Sequence, residues 1–278
     1  MLNQPIETCI FCDNISNSRE HLFPKWLLEY YKLYDQKLSL LDGSLISYRY
    51  LVIPLCNKCN NETLSKIENS IRNGNASDIE YYLWVIKISI GILYKESSLV
   101  SYKDPERKTI LIKERLATTL HMAKSMISVY KHGGSLYPSP PGSVILIPKK
   151  DNVYFFDFSD IPIVPITGIT LPNKYLIVLP FDHGRTKSVT NVNVIKQPMD
   201  SLLFKFLIAD MGYDAFRWEE GVTSITFENQ IFSALGSYKK YQSRAFKDSE
   251  FIQFLYAVGI NGKKQGEKWR LEPLNKNG

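Results

Sequence analysis

The sequence predicts an α+β protein in two regions, a small metal-stapled one over residues 1–75 and a larger α+β one over residues 76–278. Three observations predict it. All four cysteines fall into two Cys-x-x-Cys pairs, Cys9/Cys12 and Cys56/Cys59, within the first 60 residues. Long stretches of helical periodicity follow, over 78–97 and 114–130. A run of short β-branched and aromatic segments then spans 144–179. With 278 residues, 44% of them hydrophobic and 13% aromatic, the chain is long and apolar enough to bury a sizeable core.

The first region begins with the Cys9/Cys12 knuckle. Pro24-Lys25-Trp26-Leu27-Leu28 predicts the first turns of a helix, with proline near its start because its fixed φ suits that position. Residues 37–55 alternate about Asp42-Gly43, a hairpin signal, and lead into the second knuckle. After it, Leu64, Ile67 and Ile71 recur at three- and four-residue steps, so a helix runs from Asn60 to about Asn73-Gly74. A boundary near residue 75 follows.

In the second region, Asp78 to Ser97 is apolar on nearly every face and predicts a buried helix. It carries Glu80 and Lys87 and its longest apolar run is shorter than the roughly 20 residues a bilayer needs. Glu114 to Tyr130 predicts another helix, stopped at His132-Gly133-Gly134. Val144–Ile147, Val153–Phe158, Ile163–Ile169 and Lys174–Leu179 predict strands of a mixed or antiparallel sheet, and Ser201–Phe216 and Ser249–Val258 two more helices. The region divides into a helical part (78–132), a strand-rich part (143–195) and a mixed part with a basic end (198–278).

Net charge is +6, and its distribution matters more than its size. Of the 34 Lys and Arg and the 28 Asp and Glu, eight of each lie in residues 1–75, so the whole excess belongs to the second region. Lys239, Lys240, Arg244, Lys247, Lys263, Lys264, Lys268 and Arg270 are interleaved with Tyr238, Tyr241, Phe246 and Trp269. That mixture suits phosphate contact with occasional base stacking, and equally a solvated face. The start, Met-Leu-Asn-Gln-Pro, lacks the pattern of a secretory signal, which predicts a cytoplasmic protein.

Two Cys-x-x-Cys knuckles present four thiolates to one ion, the sequence form of a tetrahedral structural zinc site. A pair of disulfides and a redox Cys-x-x-Cys are the alternatives. Between the knuckles stands Arg19-Glu20-His21-Leu22-Phe23-Pro24, and Asn60 follows the last cysteine directly. This order, Cys-x-x-Cys, acid-His-x-x-Pro, Cys-x-x-Cys-Asn, resembles the zinc-stapled branch of the HNH endonucleases, the ββα-metal nucleases, over residues 9–72. The resemblance implies a metal-dependent endonuclease on DNA. In it, His21 is the general base, Glu20 and Asn60 hold one Mg²⁺ or Mn²⁺, and Cys9, Cys12, Cys56 and Cys59 hold structural zinc. It further implies a setting in bacterial restriction or antiphage defence, with a regulatory partner protein.

Elementary chemistry agrees with each role. Histidine, with an ordinary pKa of about 6.5, accepts a proton from water near neutral pH, and His21 is the only histidine of the first region. A hard cation prefers carboxylate and amide oxygens, whereas zinc on four thiolates keeps no open position for catalysis. Two departures stand against the family pattern. No asparagine precedes the second knuckle in Tyr48–Pro54 to orient the histidine, and Asn60 replaces the commoner histidine. Asn61 and Glu68 are further candidate ligands on the following helix, and Asn60 also suits an N-cap. His121 reads as a packing residue, His132 as a C-terminal cap, and His183 as a turn residue. The rival expectation is a zinc-stabilised nucleic-acid-binding or protein-interaction module with a degenerate site. A phosphate-directed site without sugar contacts would accept RNA as well as double-stranded DNA.

Overall fold

The computed structural model describes residues 7–40, 44–98, 105–134, 136–137, 140–150, 155–161, 166–180, 182, 184, 186–187, 197–217, 225–228, 231–234, 246–266 and 268–274. The fold is mixed helix and sheet, with a four-cysteine cluster near the N-terminus. The chain divides into two compact units, the first formed by Met1–Leu136 with Glu228–Phe232 and the second by Tyr137–Phe227 with Ser233–Gly278. The boundary expected near residue 75 therefore falls inside the first unit. Among the described residues, no helix is long and apolar enough to cross a membrane.

The first unit opens with Ser18–His21 (β1), Lys25–Tyr30 (α1), Lys37–Ser39 (β2), Leu45–Ser47 (β3) and Val52–Leu55 (β4). Pro24 caps α1 with φ −63° and ψ 149°, as the proline signal implies. β2 and β3 pair antiparallel, while the Asp42-Gly43 turn expected between them lies outside the described residues. β4 pairs with β1 in antiparallel register, Glu20 opposite Ile53 and His21 opposite Val52. Downstream, Lys58–Leu64 makes a wide π-helical turn that continues into Ser65–Arg72 (α2). The helix thus starts before Asn60, whose N–H already donates to the Cys56 carbonyl at 3.0 Å. Asn60 is inside the helix rather than at its N-cap.

Asp78–Ser98 (α3) and Pro105–Lys131 (α4) complete the helical part of this unit. Ser77 heads α3, donating its N–H and Oγ to Glu80 Oε2, both at 2.8 Å, so the Glu80 side chain reaches back over the helix start. Trp84, Leu83, Val85 and Lys87 on α3 are fully buried. The reason α3 belongs with the knuckles is visible at Gly91, where a Cβ would stand 1.9 Å from Leu22 Cδ2. Only a residue without a side chain lets Leu22 seat there. α4 ends with His132 Nδ1 2.8 Å from the Ser128 carbonyl and Gly133 at φ +70°, a C-terminal stop of the expected kind. His121, expected to pack, is exposed instead, because it falls on the outer side of α4.

Leu136–Tyr137 (β5) leads into the second unit. Its sheet contains Ser143–Pro148 (β6), Phe158–Ile161 (β7), Ile166–Thr170 (β8) and Lys174–Leu179 (β9), in the order β6-β9-β8-β7, antiparallel throughout. The strand expected from Val153 begins only at Phe158, with residues 155–157 outside any strand and 153–154 outside the described residues. Ser201–Arg217 (α5) lies against this sheet, close enough that a Cβ on Gly168 of β8 would meet Ile208 Cδ1 at 2.1 Å. Tyr175 of β9 and Phe204 of α5 stack at 4.2 Å. Ile225–Glu228 (β10) and Ile231–Ala234 (β11) precede Asp248–Ala257 (α6) and the hairpin of Ile260–Gln265 (β12) and Lys268–Pro273 (β13).

The basic end resolves differently from its sequence signal. Trp269 packs on the apolar core, its ring 5.1 Å from that of Phe251, so it is not a free stacking surface. Lys247 pairs with Glu250, Lys264 with Asp248 and Arg270 with Glu272. Tyr238, Lys239, Lys240, Tyr241 and Arg244 lie outside the described residues.

Candidate metal centre and its histidine neighbour

The two knuckles meet because β1 and β4 are paired. Backbone bonds close the first, with the Asp13 N–H on the Cys9 carbonyl at 3.0 Å and Asp13 in the left-handed region at φ 59°. Aspartate tolerates that conformation better than most residues. Between the knuckles, the Ile10 N–H donates to the Pro54 carbonyl at 3.2 Å, and the Asn57 N–H to Asn17 Oδ1 at 2.7 Å. The four sulfur atoms of Cys9, Cys12, Cys56 and Cys59 then lie within 4.8 Å of one another.

All four are free thiols, and Cys12 Sγ stands 3.5 Å from Cys56 Sγ. A tetrahedron with Zn–S arms of about 2.3 Å has sulfur–sulfur edges of about 3.8 Å, whereas a disulfide needs about 2.05 Å. The disulfide alternative is therefore not what these sulfurs form. Their electrostatics point the same way. Hydrogen bonding from Cys59 holds the Cys9 thiol down to about 4, while the shared proton and burial push Cys59 far up. Four sulfurs this close, three of them buried, cannot all ionise unless a cation joins them, so the cluster has the donor set and the charge demand of a metal such as zinc.

His21 ends β1, and burial lowers its imidazole below the ordinary 6.5 despite the opposing pull of Glu20. Its Nδ1 is buried and has no hydrogen-bond partner among the described residues. Glu20 and Ser18, two residues apart, share one face of β1, and His21 the other. On the Glu20 face, Lys87 of α3 places its Nζ 3.1 Å from Glu20 Oε1, 2.5 Å from Glu68 Oε1 and 3.0 Å from the His21 carbonyl. The Lys87 side chain is fully buried, and those of Glu20 and Glu68 are only 15% and 14% exposed.

The ammonium is charged there. Burial works against it, but Glu68 and Glu20 outweigh burial and raise its pKa. Burial pushes the Glu68 carboxyl up to about 7, against the attraction of Lys87.

Asn60 is brought back to β1 as well, donating from Nδ2 to Ser18 Oγ at 3.2 Å. Glu20 and Asn60 are thus engaged by different neighbours, one by Lys87 and the other by Ser18. Among the described residues, the four cysteines are the one group of three or more His, Cys, Asp and Glu that could hold a metal ion. Glu68 joins Glu20 on Lys87, and Asn61 is exposed, its carbonyl accepting from Ser65 Oγ. His183 lies outside the described residues.

Lys87 is the residue that sequence reasoning passed over. Its signal was present: a cation in the middle of an apolar helix is almost never buried without an acidic partner. No family model matches the chain, and no curated protein or solved structure matches it.

Proposed function

We propose that the N-terminal unit is a zinc-stapled ββα-metal module of the HNH kind, which hydrolyses phosphodiester bonds of DNA with His21 as general base. The observation that carries this reading is the order and pairing of its parts. β1 ends on His21 and runs antiparallel to β4, and β4 passes through the second cysteine pair into the helix that bears Asn60. Cys9, Cys12, Cys56 and Cys59 hold the zinc, whose contribution is to tie strand to helix.

His21 has the protonation state a base needs. Its pKa is depressed by burial, so the ring is neutral at pH 7 and able to accept. It takes a proton from water as the water oxygen bonds to phosphorus and the bond from phosphorus to the leaving sugar oxygen breaks. The leaving oxygen is protonated from solvent.

The divalent ion of the HNH reading, Mg²⁺ or Mn²⁺ on Glu20 and Asn60, does not fit these donors as they stand. Glu20 is neutralised by Lys87, and Asn60 is tied to Ser18. That observation favours a second reading, a zinc-stabilised binding module for nucleic acid or protein whose site has lost turnover. Affinity for DNA in either case must come from outside residues 1–75, where cations and acids balance.

The test is a supercoiled plasmid incubated with zinc-loaded protein, with and without added Mg²⁺ or Mn²⁺, and RNA digested in parallel. The nuclease reading expects nicking by the wild type and a loss of about 10²–10⁴-fold in His21→Ala. Equal cutting by both proteins refutes His21 as base. If neither cuts and both retard DNA in a gel, the binding module is correct.

A further inference from the structure

We infer that the Lys87 ammonium is the resident cation of the pocket between Glu20 and Glu68, standing where a divalent ion is expected and keeping such an ion out. The geometry carries this. One fully buried Nζ lies within hydrogen-bond distance of two carboxylates and of the backbone carbonyl of His21. Those three acceptors match the three donors of an ammonium group. No other cation among the described residues pairs with either carboxylate.

Charge balance supports the assignment. One ammonium with two ionised carboxylates would leave the buried pocket with a net negative charge, which a low dielectric penalises. Burial relieves this by drawing Glu68 toward its neutral acid. With its three donors taken by Glu20, Glu68 and the His21 carbonyl, the ammonium already occupies the position from which a second cation would have to bind both carboxylates. A divalent ion brought to the Glu20 oxygen that Lys87 holds would meet the ammonium within about 3 Å and be repelled, unless Lys87 left its buried position.

The same contacts make Lys87 a positioning residue for His21. Its bond to the His21 carbonyl fixes the backbone at the end of β1. One turn further along α3, Gly91 receives Leu22, so α3 grips both residues that flank the histidine's backbone.

This inference rests on the nuclease reading only in taking Glu20 as the residue a cation would seek. Its readout is ion binding, so a module that never cuts DNA returns the same answer. Conversely, cutting that depends on Mn²⁺ at Glu20 would refute the lysine and leave the nuclease standing.

The experiment is a Mn²⁺ titration of zinc-loaded, full-length protein followed by electron paramagnetic resonance, comparing wild type, Glu20→Gln and Lys87→Met. The wild type is expected to show no Mn²⁺ site that Glu20→Gln removes. Lys87→Met is expected to gain one, binding about tenfold or more tighter than wild type. A stoichiometric Mn²⁺ site in the wild type that is lost in Glu20→Gln overturns the inference, as does a folded Lys87→Met that gains none. Should Lys87→Met fail to fold, nitrogen NMR of the lysine side chains in the wild type decides. A protected ammonium signal that persists in millimolar Mg²⁺ supports the assignment, and its absence, or its displacement by Mg²⁺, overturns it.

Discussion

The two units of this protein are stabilised by different means. The second is an ordinary apolar core: Ile145, Ile147, Ile166, Tyr175, Ile177, Phe204, Ile208, Phe251 and Leu255 pack between an antiparallel sheet and two helices. The first buries its own apolar residues, but its centre also contains four thiols, an ammonium and two carboxyls. Burying such groups costs free energy unless each finds a partner. The difference teaches where chemistry can reside. A core of aliphatic and aromatic side chains has nothing to offer a substrate, whereas sulfurs and charges held against a penalty are groups with other uses.

The sharpest way to break this comparison is to remove the zinc proposed for the four-cysteine cluster. Cys56→Ala, or treatment with a chelator, should then unfold the first unit outright, since structural zinc contributes on the order of 10 kcal/mol or more. The second unit should keep its fold. Hydrogen exchange read by mass spectrometry on peptides from each unit distinguishes the two outcomes, and loss of protection in both units would show that they are not independently stabilised.

A smaller effect is expected from the converse change. Phe204→Ala removes a fully buried ring stacked on Tyr175. It should cost about 3–5 kcal/mol in the second unit, with zinc content unchanged as read by metal analysis. A fall in bound zinc would contradict the division.

The smallest effect sharpens the role of α3. Ser77→Ala removes the Oγ bond to Glu80 at the start of α3 and should cost about 1 kcal/mol at pH 7 in urea unfolding of the first unit. Burial works against the Glu80 charge, but hydrogen bonds from Ser77, with others from Ser70 and Tyr130, outweigh it and hold this carboxyl below its ordinary 4.5. A depressed acid stabilises the fold above its unfolded pKa and loses that contribution as pH falls through the folded value. Wild type and Ser77→Ala should therefore converge well below pH 4.5. A gap that persisted there would mean that Ser77 acts otherwise than through Glu80.

Much of the fold was legible in the chain. The strand Lys174–Leu179, the helix starting at Asp78, the proline at the head of α1 and the glycine stop after His132 were each announced by local chemistry: β-branching, periodicity, a fixed φ, a left-handed φ. The four-cysteine cluster was legible too, because ligand spacing is itself a local property. The N-cap reading of Asn60 fails, since a π-helical turn starts the helix before it. The aromatic and basic end was left open between phosphate contact and a solvated face for a similar reason. Composition cannot tell a stacking tryptophan from one folded into a core, as Trp269 is.

What the sequence determined by itself was therefore the close-set cysteine pairs, the acid-histidine pair between them, and the mixed helix-and-sheet class, all set by contacts between near neighbours. Only the tertiary structure decided that α3 belongs to the first unit and that Lys87, 67 residues from Glu20, faces that carboxylate. The physical reason is that a buried charge must be neutralised wherever the fold happens to bring an opposite one, and that partner is chosen by packing between distant segments rather than by spacing along the chain.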